Sequence, residues 1–289
     1  VFSDATSFQN SVIGNYIGTD ITGTKALGNN YGITIWACSH HRIGGAAEGE
    51  GNLISGNENA GAGLSGYGCS ENFIIGNRIG VDVNGDPLTN GTGIDVNTGQ
   101  RHGTVGGYTA AEGNLIYGGV IAMRITNRGV QDCYFAGNMV NSSNGILIYL
   151  EDGVSNCFVQ NNTFAETSEN AVRVDYGTGN FIRANTYTGD KPQDMILLLA
   201  GGNSELSAPL VTSFSGSVVL GTSCPYGRVE LYLYENGSVT PLGSADADVN
   251  GNFTYSGGDE IVGKQILLLV TDTFNNTSVF STVYEAPLD

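Results

Sequence analysis

IGNYIGTD at 13–20 returns 62 residues later as IGNRIGVD at 75–82. RIGG at 42–45 returns as TVGG at 104–107, and EGNLISGN at 50–57 as EGNLIYGG at 112–119, with the same offset. Inside this long period runs a shorter one, a small residue followed by alternating apolar residues. It reads Gly32-Ile33-Thr34-Ile35, Gly63-Leu64-Ser65, Gly93-Ile94-Asp95-Val96, Ala122-Met123-Arg124-Ile125, Gly145-Ile146-Leu147-Ile148, Ala171-Val172-Arg173-Val174 and Met195-Ile196-Leu197-Leu198. Self-similarity at this spacing marks a solenoid. Each repeat holds three strand-like stretches separated by turns, so the reading is all-β: a parallel β-helix with three strands per coil and about seven coils over 32–200. Ile33, Ile35, Ile94, Val96, Ile146, Ile148, Val172 and Val174 are expected to face inward on the period-2 alternation. Asn77, Asn138, Asn162 and Asn185 fall at comparable turns and are expected to stack into an amide ladder.

Composition supports an all-β chain. Of 289 residues 44 are Gly and only 13% are charged. Gly and Asn tolerate left-handed backbone, which frequent sharp turns require. The net charge of −17 repels phosphate backbones, which argues against a nucleic-acid partner. No run of 18 apolar residues exists, so no membrane span is expected. Cys38 and Cys69 lie 31 residues apart and Cys133 and Cys157 lie 24 apart, about one repeat each. Stacked coils are ~4.8 Å apart, which admits either a disulfide or two stacked thiols in each pair.

The coil length and the G-I-x-I and N-x-I-x-G-N patterns over residues 1–203 resemble the pectate-lyase-like right-handed parallel β-helix proteins. The IGTD and EGN-x-I-S-G-N variant is similar to repeats of large bacterial surface and secreted proteins. The resemblance implies the right-handed coil and a substrate groove beside one strand row. The composition shifts near Gly201-Gly202-Asn203, and from Leu206 the turns become sparser and the strands longer, as in Arg228–Tyr234 and Gln265–Val270. SADADVNGNFTY at 244–255 and TDTFNNTSVFS at 271–281 resemble bacterial Ig-like domains. The expected division is therefore a β-helix at 1–203 and an Ig-like β-sandwich at 204–289, joined by a short Gly201-Gly202-Asn203 linker and packed on the last coil.

The outward row beside the G-I-x-I strands is read as Thr34, Trp36, Ser65, Asp95, Asn97, Arg124, Thr126, Leu147, Tyr149, Arg173 and Asp175. Trp36 and Tyr149 are the aromatic residues suited to stack on a sugar. Arg173, Asp175, Arg124 and Asp95 are the groups an enzyme would use. Asp95 and Asp175 stand three coils apart, about 14 Å, beyond the ~5–10 Å of a glycosidase carboxylate pair. Asp95 with Arg124, and Arg173 with Asp175, read as surface ion pairs. Cys38-Ser39-His40-His41 reads as a surface turn and no metal site is expected. Asp246, Asp248, Asn250 and Asn252 alternate like part of a calcium loop, but Gly251 makes a hairpin turn the expectation and calcium at most structural.

The leading expectation is a non-catalytic extracellular structural or adhesive protein, part of a surface fibre, with no cofactor. Its partners would be copies of itself head-to-tail, or the rest of a longer parent chain, and glycans. A polysaccharide lyase or glycoside hydrolase, and a carbohydrate-binding module using Trp36 and Tyr149, are the alternatives.

Overall fold

The computed structural model describes residues 1–3, 6–127, 129–142, 145–165 and 169–288. Nearly all regular structure is β, and the repeats pair in parallel, each with the next, as a β-helix-like solenoid. The first strand row runs through Tyr31–Trp36, Ala60–Ser65, Asn90–Asn97, the end of Leu115–Thr126, Ile146–Glu151, Val172–Asp175 and Ile196–Leu199. A second row, from Ser11–Val12 to Phe181–Arg183, is a seven-stranded parallel sheet among the described residues. The third row runs from Tyr16–Ile17 through Leu53–Ile54 and Arg78–Ile79 to Thr186–Thr188.

The eight apolar residues expected inside are all buried. Leu147 is a correction: it was expected outward and is 0% exposed. Each first-row strand follows a corner, and there two consecutive residues turn inward. Ala122 with Met123, Leu147 with Ile148 and Ala171 with Val172 are all fully buried, so alternation starts only after the corner. The outward pair of this coil is therefore Tyr149 and Glu151.

The turns are held by a buried amide ladder. The backbone N–H of Asn52, Asn77, Asn114, Asn138 and Asn162 each donates to the side-chain oxygen of the next member, ending at Asn185, over 2.9–3.1 Å. Asn52 and Asn114 join the four expected members, because EGNLI places its Asn at the same turn. Close approach there demands glycine: at Gly106, with φ +86°, a Cβ would lie 1.9 Å from the Ala136 carbonyl oxygen. The four repeat cysteines are buried free thiols, and burial pushes the Cys157 thiol well up.

Residues beyond 209 form antiparallel sheets. Leu210–Ser215, Val218–Thr222 and Asn252–Ser256 make one, and Arg228–Glu235, Ser238–Asp246, Gln265–Thr271 and Tyr284–Glu285 the other. The run Gln265-Ile266-Leu267-Leu268-Leu269-Val270 is apolar at every position after the first because it is buried on both faces. Ile266, Leu268 and Val270 face Val219, Val229 and Phe253, while Leu267 and Leu269 join the solenoid core with Tyr232, Val239 and Phe280.

These antiparallel sheets cover the last coil, and they satisfy its exposed N–H edge. Gly179 N–H donates to Asn276 Oδ1 at 2.7 Å, Ile182 N–H to Thr277 Oγ1 at 2.9 Å and Ala184 N–H to the Tyr232 hydroxyl at 2.9 Å. Tyr187 pairs antiparallel with Val239. Of the stretch Gly201-Gly202-Asn203, expected as a linker, Gly201 is exposed while Gly202 and Asn203 are buried. Asn203 is 0% exposed, and its Oδ1 accepts the Asn180 N–H at 3.0 Å, so it extends the stacking of amides.

Candidate functional site

Register places Thr34, Gly63, Asp95, Arg124, Tyr149, Arg173 and Leu197 in one outward line along the first row. Beside it stand Asn97, Thr126 and Glu151 in line, with Asp175 opposite Leu199. Parallel pairing in register makes this inevitable: residues one repeat apart occupy the same face, ~4.8 Å from each other.

Charged and phenolic groups concentrate over four of these strands. Arg124 donates from Nε and Nη2 to one carboxylate oxygen of Glu151, at 2.9 and 2.8 Å. Arg173 grips Asp175 with two bonds, Nε to Oδ1 at 3.1 Å and Nη2 to Oδ2 at 2.8 Å. The Tyr149 hydroxyl donates to the same Oδ2 at 2.7 Å, and the Arg173 guanidinium lies 4.8 Å from the Tyr149 ring centroid. Burial, and then the bond to Asp175, push the Tyr149 phenol up, so it stays protonated and donating. The bond to Asp175 raises Arg173.

The ion pair expected between Asp95 and Arg124 is not formed; Arg124 turns to Glu151. Asp95 has a single methylene and stays against the sheet, while the longer Glu151 reaches the guanidinium. One Asp95 oxygen, Oδ1, is buried without a hydrogen-bond partner. Burial pushes its carboxyl up, Arg124 opposes this, and Glu151 adds to it. Arg173 and Asp175 do pair as expected, but Asp175 is enclosed, with its side chain 9% exposed. Arg124→Ala is expected to cost at most about 1 kcal/mol, as an exposed pair does. Asp175→Ala strands the Tyr149 hydroxyl and the Arg173 guanidinium and is expected to cost about 1–3 kcal/mol. Urea unfolding of the two variants measures the difference.

Trp36 is 54% exposed but stands four strands from Tyr149, about 19 Å along the axis. The structure does not bring these two aromatic residues together. The second row carries aromatic side chains that the sequence reading passed over. Tyr134 and Phe158 stack at 4.7 Å, Phe158 meets Phe181 at 5.6 Å, and Arg183 covers Phe181 at 4.9 Å. Their signal was an aromatic just before each inward residue at 135, 159 and 182. The Tyr134 and Phe158 faces are spent on each other, which suits stability better than sugar stacking.

The reading of residues 38–41 as a surface turn holds for His40, which pairs with Glu71 at 3.2 Å. It fails for His41, which is 0% exposed, because its column in the solenoid points inward. Asp248 Oδ1 accepts the N–H groups of Asn250 and Asn252, each at 2.8 Å, closing the hairpin. Among the described residues no group of three or more His, Cys, Asp or Glu is arranged to hold a metal ion. No helix among them is long and apolar enough to cross a membrane. An open groove of about 650 Å³ continues the first row past Leu197, between Glu169, Asp190, Lys191 and Val279.

No family model matches this chain, and a comparison with curated proteins finds no similar one. Among solved structures it is similar to full-length tailspike protein 2 from Escherichia coli O157:H7 bacteriophage CAB120, at 12% identity and a TM-score of 0.30. The alignment covers 98% of this chain and 43% of the tailspike chain, so the chain spans less than half that protein's length.

Proposed function

We propose that this chain is an extracellular surface protein, a right-handed β-helix at 1–203 with an Ig-like module at 204–289, that holds glycans on its first row without turning them over. The observation behind it is the preorganised cluster Asp95, Arg124, Tyr149, Glu151, Arg173 and Asp175 on neighbouring strands. Arg124 with Glu151, and Tyr149 and Arg173 with Asp175, are fixed by one another before any ligand arrives, which keeps the entropic cost of binding low. Both arginines are already neutralised by carboxylates and the chain carries a net charge of −17. The proposed ligand is therefore a neutral polysaccharide, since a polyuronate would meet no unpaired cation in this cluster. The same pairing argues against a lyase, whose arginine base must be free. Self-association or continuation in a longer chain is the proposed route to a fibre.

Affinity electrophoresis against a β-glucan, a galactomannan, a xylan and polygalacturonate tests this. Retardation by at least one neutral polymer is expected, falling at least about tenfold in Tyr149→Ala, a loss of roughly 1.4 kcal/mol. Retardation by polygalacturonate alone, or by none of the four, would sink the reading.

One observation favours a second reading, a glycoside hydrolase. Burial raises the Asp95 carboxyl, with Arg124 and Glu151 close enough to act on it, as a general acid in a carboxylate site requires. Reducing ends released from the retained polymer by wild type, and not by Asp95→Asn, would establish it.

A further inference from the structure

One amide stack of the solenoid contains a titratable member. At the corner between the first and second rows the column runs Asn10, His41, Asn72, Gln100. The His41 backbone N–H donates to Asn72 Oδ1 at 3.0 Å, and Asn72 Nδ2 donates to Gln100 Oε1 at 3.1 Å. On the other side His41 Nδ1 accepts the backbone N–H of Asn10 at 3.2 Å, with Asn10 Nδ2 3.4 Å away. Phe2 stacks on the imidazole, centroids 4.6 Å apart and planes within 12°. The ring is 0% exposed, and its Nε2 is buried without a partner.

His41 thus joins the first coil to the second through a bond that needs an unprotonated Nδ1. The rest of that coil's hold is backbone and amide hydrogen bonding: Arg42 N–H donates to the Asn10 carbonyl, Leu53 N–H to Asn15, Ser55 N–H to Ile17, Gly14 N–H to Glu50, and Asn15 N–H to Asn52 Oδ1. The coil pairs through the two-residue strands Phe2–Ser3, Ser11–Val12 and Tyr16–Ile17, and Phe2, Val12 and Ile17 are only partly buried.

We propose that His41 is an acid-sensitive latch: protonating its ring weakens the docking of the first coil, residues 1–3 and 6–17, on the rest of the solenoid. A proton on Nδ1 replaces the acceptor of the Asn10 N–H with a second donor, and the charge lies in an apolar enclosure between Phe2 and the core. Of the charged groups among the described residues, His40 acts on the ring and disfavours its charging; Glu71 is engaged by His40. The Ser7 and Asn10 backbone favours the cation, but burial outweighs it and holds His41 below the usual imidazole range. The sign follows. The freed coil binds a proton more readily than the docked one, so docking is complete above about pH 6.5 and weakens as pH falls.

The chain carries its own reporter, because Ser3 pairs with Trp36, the one tryptophan. The full chain is titrated from pH 7.5 to 5.0 by Trp36 emission and by amide exchange, expressed as protection factors. Protection at residues 2–3, 11–12 and 16–17 is expected to fall roughly tenfold per pH unit below about 6.5, the slope of one linked proton. Protection around Ile182 and Tyr187 should hold. His41→Asn keeps an acceptor that cannot be protonated and should abolish the response; His41→Gln serves the same comparison if the first variant does not fold. Wild-type protection that persists to pH 5.0, an identical titration in the variant, or simultaneous loss of protection at Tyr187 would each overturn the latch.

Discussion

Asn138→Leu is expected to destabilise the protein by about 3–6 kcal/mol, enough to threaten folding of a domain of ordinary stability. The volume change is small, so the cost is one of hydrogen bonds. Asn138 Oδ1 accepts both the backbone N–H and the Nδ2 of Asn114, at 3.1 and 2.9 Å. Its Nδ2 donates to the carbonyls of Val105 and Ala136, at 2.9 and 3.1 Å, and to Asn162 Oδ1 at 3.0 Å. Leucine can make none of these contacts, and each buried group left alone costs about 1–3 kcal/mol. Urea denaturation followed by circular dichroism measures the effect. A loss below about 1 kcal/mol would mean that water enters the turn and replaces the ladder.

Phe280→Ala is expected to cost about 3–5 kcal/mol, the range of a buried aromatic truncated to alanine. It should also separate the two halves of the molecule. Phe280 meets Tyr187 of the last coil and Tyr232 of the C-terminal sheets edge-on, at 5.4 and 5.1 Å. The core is continuous through this contact, so wild type should melt in one calorimetric transition and the variant in two. A single unshifted transition in the variant would show that the hydrogen bonds of Asn276, Thr277 and Tyr232 hold the joint by themselves.

The repeat was fully legible in the sequence because the solenoid is nearly one-dimensional. A residue's neighbours are the residues one period away, so the 62-residue recurrence and the period-2 alternation predicted which isoleucines and valines are buried. The Asn ladder was legible for the same reason: one turn geometry, repeated, demands one side chain. The doubly apolar strand Gln265–Val270 was visible as a run, but not its cause, which is a second face closed by the solenoid end.

Only the tertiary structure decided the site. Sequence spacing located the row, yet coil lengths vary between repeats, and a corner that turns two consecutive residues inward buries Leu147. The longer Glu151 side chain reaches Arg124 where Asp95 does not, and Asp95 keeps a buried, unpartnered oxygen. His41 likewise lies inside rather than in a surface turn because its corner column points inward. The repeat determines the face on which a side chain stands when the coil is regular; corners and side-chain length decide which partner it reaches, and those are properties of three dimensions.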